Sequence, residues 1–96
     1  MSVEEILSSF GEGEHIHAVV TKEVPEAGQQ EWIATAAKFA SETRREKGCI
    51  RFAYLRVKGS TTRFMLCEEW ENRQALERHF ETEHFALAVP VTPSRF

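Results

Sequence analysis

Aspartate is missing from this 96-residue chain, so all 15 acidic side chains are glutamates. That absence rules out an Asp-based catalytic triad and an EF-hand calcium loop. Cysteine occurs only at Cys49 and Cys67. Two isolated cysteines lack the spacing of a zinc site and are expected to be buried thiols, not a disulfide. There is no glycine-rich phosphate loop, no internal repeat and no low-complexity segment. No apolar run approaches membrane-spanning length, and Glu4 and Glu5 are out of place in a signal peptide, so a cytoplasmic location without membrane contact is expected. The net charge is only −3. Basic residues are scattered apart from Arg44, Arg45 and Lys47, which fall at a helix end where cations complement the dipole. Nucleic acid is therefore not an expected partner.

What is present is one domain's worth of chain with a clear sequence of periods. Val3, Ile6, Leu7 and Phe10 recur at helical spacing, and Gly11 and Gly13 end that run, giving an N-terminal extension over residues 1–14 that is helical at its start. The domain proper occupies 15–96. His15–Val24 alternates as a first strand, with Ile16, Ala18, Val20 and Val24 on one face and His15, His17, Val19, Thr21 and Glu23 on the other. After the turn at Pro25–Gly28, Gln29–Lys47 reads as a helix with Trp32, Ile33, Ala36, Ala37, Phe39 and Ala40 inward. Gln30, Glu31, Lys38, Glu42, Arg45 and Glu46 fall outside, and Gly48 is placed as a left-handed C-cap. Cys49–Val57 is a second strand, with Ile50, Phe52 and Tyr54 on one face and Cys49, Ala53, Leu55 and Val57 on the other. A turn at Lys58–Thr62 leads to a third strand, Arg63–Trp70, whose Phe64, Leu66, Glu68 and Trp70 share a face. Asn72 can cap a helix carrying Ala75, Leu76, His79 and Phe80. Thr82 can cap a second, short one carrying His84, Phe85 and Leu87 that stops at Pro90.

The order β-α-β-β-α lacks only a last strand to be a ferredoxin-like split βαβ of the α+β class, an antiparallel sheet with helices on one face. The six residues after Pro90, broken by Pro93, predict a short or missing fourth strand. That would leave the first strand with an open edge, which predicts a homodimer, sheet packed on sheet.

Several side chains near the strand–helix junction have chemistry to offer beyond packing. Trp70 either fills the core or walls a pocket for a flat aromatic ring. Glu68, on the same inward face, must either pair with an arginine such as Arg51 or Arg63 or line a solvated pocket, because a bare carboxylate in a core is costly. His79 is either a hydrogen-bonded core residue or a general base of near-neutral pKa. His84 follows across the helix break and can turn toward the same cavity. The two histidines could hold a metal only with a third ligand from elsewhere, and His15 and His17 have no Cys or Asp to join them, so no metal site is expected. Tyr54 can orient a substrate oxygen or leave its hydroxyl in water. Arg51 and Arg56 can balance an anionic substrate or simply solvate an edge strand.

The run E-x-W at Glu68–Trp70, followed by H-F-x-T-x-H-F at His79–Phe85, resembles the antibiotic-biosynthesis monooxygenase (ABM) family of small dimeric ferredoxin-like proteins, the dimeric α/β barrels. The stretch E-K-G-C-I-R-F, Glu46–Phe52, is similar to that family's entry into its second strand, and the resemblance covers roughly Ile16 to Val89. It implies a cofactor-independent monooxygenase meeting O₂ and a small phenolic or quinol-like substrate. Trp70 and Phe52 would hold the ring, His79 would be the base, Glu68 or Tyr54 would orient, and His84 and Arg51 would border the substrate. An isomerase of a small phosphorylated hydroxy-ketone and a non-catalytic dimeric ligand-binding module are the alternatives. Haem degradation fits less well, since those relatives use a first-strand asparagine and the only one here is Asn72.

Overall fold

The alternation within Arg63–Trp70 sets the layout of the sheet. In the computed structural model, which describes residues 13–88, this segment is strand β3. Phe64, Leu66, Glu68 and Trp70 are buried, and the residues between them are partly open. Strands β1 (Ile16–Glu23) and β2 (Cys49–Arg56) flank it, both antiparallel, in the order β1-β3-β2. Helices α1 (Gln29–Thr43), α2 (Arg73–Phe80) and α3 (Glu83–Ala88) complete the described elements. The class is α+β, with the strand order of a ferredoxin-like split βαβ. The expected N-terminal helix and the expected short last strand lie outside the described residues. Among the described residues, no helix is long and apolar enough to cross a membrane.

The helices cover one face. Ile16, Phe39, Ala40, Phe52, Leu66, Trp70, Ala75 and Leu76 form the larger core cluster, and Val24, Trp32, Ala36 and Phe64 a second. Each large side chain buried this way is worth roughly 1.5–3 kcal/mol, and this burial orders the sheet against α1. Ala37, expected inward, is exposed. The other face of the sheet is left bare among the described residues, with Val19, Leu55 and Ile50 about half or more exposed.

Two departures from the expected pattern matter for the site. Helix α1 ends at Thr43, four residues early. The Arg45 and Glu46 amides bond to Glu42 and Thr43, and the Cys49 amide to Glu46, all one residue short of α-helical spacing. Gly48 does adopt the left-handed conformation, at φ 89°, but beyond this tight turn instead of at the helix end. A Cβ there would lie 2.5 Å from the Ala75 Cβ, and the Gly48 carbonyl accepts the Glu71 amide at 2.9 Å. The connection is pinned to α2 as closely as backbones allow.

The second departure is in β2. Cys49 pairs with Trp70 and Arg51 with Glu69, so Ile50 is an extra residue in the strand. A bulge of this kind shifts the faces by one. Cys49 turns in against the core, while Ile50, expected beside Phe52, is 48% exposed. Cys49 and Cys67 are free thiols, both half-buried.

Candidate active site

Helix α2 starts where its sequence says it should. Asn72 is extended and its side chain accepts the Ala75 amide at 2.9 Å, satisfying one of the free donors of the first turn. The helix then buries Ala75, Leu76 and His79. Thr82 makes the following break. Its hydroxyl donates to the His79 carbonyl at 2.8 Å and accepts the Phe85 amide at 3.2 Å. That reversal brings His84 back toward His79, with ring centroids 6.1 Å apart.

Glu46 joins the two histidines. Its Oε2 lies 2.8 Å from His79 Nδ1 and 2.6 Å from His84 Nε2, so one carboxylate oxygen receives a ring N–H from each. Counting along a continuous helix sends Glu46 to the solvent side. The early end of α1 and the tight turn after it send the carboxylate inward instead. The only sequence signal for this was its position two residues before Gly48.

His79 is 2% exposed and enclosed by aromatic rings. Trp70 is 4.8 Å away between centroids, Phe85 5.3 Å and Phe52 5.6 Å. Burial holds its pKa below the ordinary histidine value, although the Glu46 bond pulls the other way. The ring is therefore neutral at pH 7, with its proton on Nδ1 toward Glu46. His84 is less enclosed. With Phe39, Thr35, Lys38, Glu42 and Leu87 it lines a cleft of about 460 Å³ between α1 and α3.

Glu68 is 3% exposed. Its Oε1 accepts the Trp70 indole N–H at 2.8 Å, and its Oε2 is buried without a partner. The expected arginine pairing does not occur. Arg63 bonds Glu23 at 2.8 Å, and Arg51 lies on the bare face of the sheet, its Nε 4.0 Å from Glu69. Desolvation pushes the Glu68 carboxyl up to about 7, with the Glu46 charge adding to it and the Trp70 bond opposing. Tyr54 is half-buried, packed edge-on against Trp32 and Phe52, and burial raises its hydroxyl above the ordinary phenol value. It lines a second cavity of about 370 Å³ with Trp32, Ala40, Arg44, Arg56 and Phe64.

Of the seven expected site residues, then, Phe52, Glu68, Trp70, His79 and His84 form one group. Tyr54 adjoins it through Phe52, and Arg51 is on the opposite face. Trp70 and His79 line neither cavity. Glu46 was missed, and it supplies the third ligand that the histidine pair lacked, since all three donor atoms fall within 4.8 Å. Distances of 2.6 and 2.8 Å to a single oxygen are those of hydrogen bonds. Donors around one ion bonded at about 2.1 Å stand wider, at roughly 3.3 Å.

A three-stranded antiparallel sheet in the order β1-β3-β2, covered on one face by helices, defines the class as ferredoxin-like α+β. Residues 15–91 match the family described as antibiotic biosynthesis monooxygenase, and the chain belongs to that family. It is 34% identical over 65 residues to an uncharacterised protein, sll1783, of Synechocystis sp., a match covering 68% of this chain and 44% of the relative. It is 40% identical over 47 residues to the uncharacterised protein YjcS of Bacillus subtilis, covering 49% of this chain and 45% of the relative. The matched stretch thus spans less than half the length of these curated relatives. Among solved structures, a conserved protein of unknown function from Bacteroides thetaiotaomicron, described as a possible oxidoreductase, superposes with a TM-score of 0.78. It is 29% identical, with 82% of this chain and 84% of that one covered.

Proposed function

We propose that the chain is a cofactor-independent monooxygenase of a small phenolic or quinol-like substrate, with the cleft between α1 and α3 as its binding site. The observation that carries this reading is the shared Glu46 oxygen, which holds both histidines while His84 borders an open cleft. A phenol or quinol lying on Phe39 presents its hydroxyl to His84, which takes the proton. The resulting anion is the electron-rich species that reacts with O₂. The ring gains one oxygen atom and loses two hydrogens, the second oxygen leaves as water, and all four electrons come from the substrate. Glu46 steadies the protonated His84. His79 holds Glu46 from behind, Trp70 and Phe52 pack against the His79 ring, and Glu68 fixes the Trp70 indole. His79 is then a positioning residue, with His84 as the base, and Arg51 takes no part at this cleft.

The test is oxygen uptake by the purified protein with a panel of quinols, together with mass spectrometry for a product one oxygen heavier and two hydrogens lighter. His84→Ala and Glu46→Gln should each lower kcat by about 10²-fold or more. Turnover unchanged in both variants would refute the assignment.

The second cavity supports a second reading. Arg44 and Arg56 beside Tyr54 and Trp32 suit a small anion such as a phosphorylated hydroxy-ketone, and isomerisation of that class, assayed in parallel, would favour it. The closed packing of Trp70 on His79 supports the third reading, a non-catalytic binding module, which tight binding of a panel member without turnover would identify. All three readings share a homodimer formed through the bare sheet face, supported by exposed Val19, Ile50 and Leu55.

A further inference from the structure

Helix α1 borders a cavity on each of two sides. Thr35, Phe39 and Glu42 face the cleft that holds His84. Trp32, Ile33, Ala36 and Ala40 wall the second cavity, of about 370 Å³, which Tyr54, Arg56 and Phe64 close from the sheet. The polar side chains around this second cavity can all donate, and none is acidic. Arg44 and Arg56 are cations, and Tyr54 keeps its proton because burial raises its hydroxyl above the ordinary phenol value. Trp32 is 6% exposed, and its indole N–H is buried without a partner. The α1–α3 cleft differs in kind, since Glu42 and Glu83 border it. We propose that the second cavity is a binding site for a small apolar monocarboxylic acid, taken up as its anion.

Arg44 supplies the open end of a guanidinium. Its Nε donates to the Phe52 carbonyl at 2.9 Å, which fixes the group beside β2 and leaves its two terminal nitrogens for a ligand. Arg56 is already committed. It donates to the Thr61 carbonyl at 3.3 Å and to Gln29 Oε1 at 3.0 Å, and it lies 4.6 Å over the centre of the Phe64 ring. Gln29 opens α1 and Arg44 closes it, so the two arginines are anchored toward opposite ends of the cavity and one fork meets one anionic group. The two parallel N–H groups of a fork match the two oxygens of a carboxylate. A second negative charge, as on a phosphate ester, is disfavoured beside the C-terminal end of α1, where the helix dipole is negative. A carboxylate oxygen also supplies the acceptor that the Trp32 N–H lacks, a donor already stripped of water by folding. The rest of the ligand must be apolar and compact. Trp32 and Phe64 pack with centroids 4.7 Å apart and the alanines present only methyl groups, while the volume is at the small end of the roughly 300–1,000 Å³ of ligand pockets. Tyr54, Arg56 and Phe64 project from the helix-covered side of the sheet. Pairing of two bare sheet faces therefore leaves the cavity open, and the site rests neither on a second copy nor on the proposed oxygenation.

Calorimetric titration of the full chain with phenylbutyrate, and separately with octanoate, tests this. One molecule per chain should bind, and phenylbutyramide, the neutral amide of the same shape, should bind at least about tenfold more weakly than phenylbutyrate. That comparison is made on the parent protein, so it does not depend on how any variant folds. Arg44→Gln and Trp32→Phe should each weaken binding of the acid by at least about tenfold. Arg44→Lys, which keeps the charge and loses the fork, should recover only part of the loss, and His84→Ala should leave binding unchanged. Failure of both acids to saturate at millimolar concentration would overturn the proposal. So would an amide that binds as tightly as the acid, or an affinity indifferent to both Arg44→Gln and Trp32→Phe. Binding lost in His84→Ala would overturn it by putting the acid in the α1–α3 cleft, and tighter binding of phenyl phosphate would overturn it in favour of a phosphate ester.

Discussion

Replacing Glu68 by glutamine should make the protein more stable, and only on the alkaline side. Glu68 is 3% exposed, one of its oxygens has no hydrogen-bond partner, and burial raises its carboxyl from 4.5 to about 7. In the unfolded chain the carboxyl loses its proton near 4.5, while the folded protein retains it to about 7. Between those values the folded state binds more protons, so stability falls as pH rises through the window. The full effect, at about 1.4 kcal/mol per pH unit, is about 3 kcal/mol. That is a large share of the roughly 5–15 kcal/mol that holds a domain folded. Glutamine has nearly the same shape, can still accept the Trp70 indole N–H, and carries no charge to desolvate. Urea unfolding of both proteins, followed by tryptophan fluorescence between pH 5 and pH 8, isolates the term. Groups such as His79 titrate in both proteins and cancel in the difference. The difference should be under about 1 kcal/mol at pH 5 and grow to about 3 kcal/mol at pH 8, with the glutamine form the more stable. A difference flat to within about 0.5 kcal/mol would mean that Glu68 is solvated or paired in solution, and the burial argument would fail.

Gly48→Ala combines a left-handed non-glycine residue, costing about 1–2 kcal/mol, with a Cβ 2.5 Å from that of Ala75, an overpacking that costs about 1–3 kcal/mol. Urea unfolding should show a loss of about 2–5 kcal/mol, partly recovered by adding Ala75→Gly, and an unchanged midpoint would refute the close approach. Light scattering should give twice the chain mass of 11.0 kDa, with Val19→Glu shifting the protein to monomer. A parent protein that is already monomeric would remove the dimer proposal.

Much of the architecture could be read from the sequence because it depends on neighbours along the chain. The alternation of β3, the Asn72 cap, the Thr82 break and the turn at Gly28 each rest on contacts spanning a few residues, and each is found where its pattern predicts. The same local signals grouped Phe52, Glu68, Trp70, His79 and His84. What they could not carry was the direction of side chains whose partners are distant in sequence. Glu46 meets His79 and His84 across 33 and 38 residues, and it does so because close contact of Gly48 with α2 goes with a tight turn in place of the last turn of α1. Ile50 turns outward because β2 must accommodate one more residue than β3 offers, which no periodicity within β2 announces. Glu68 bonds an indole instead of an arginine because Arg51 and Arg63 have nearer carboxylates in Glu69 and Glu23. Local periods determined which residues gather at the junction of β3 and α2. Packing of α2 against the turn that follows α1 decided which carboxylate serves the histidines, because a buried ring N–H must find its acceptor wherever the fold brings one within reach.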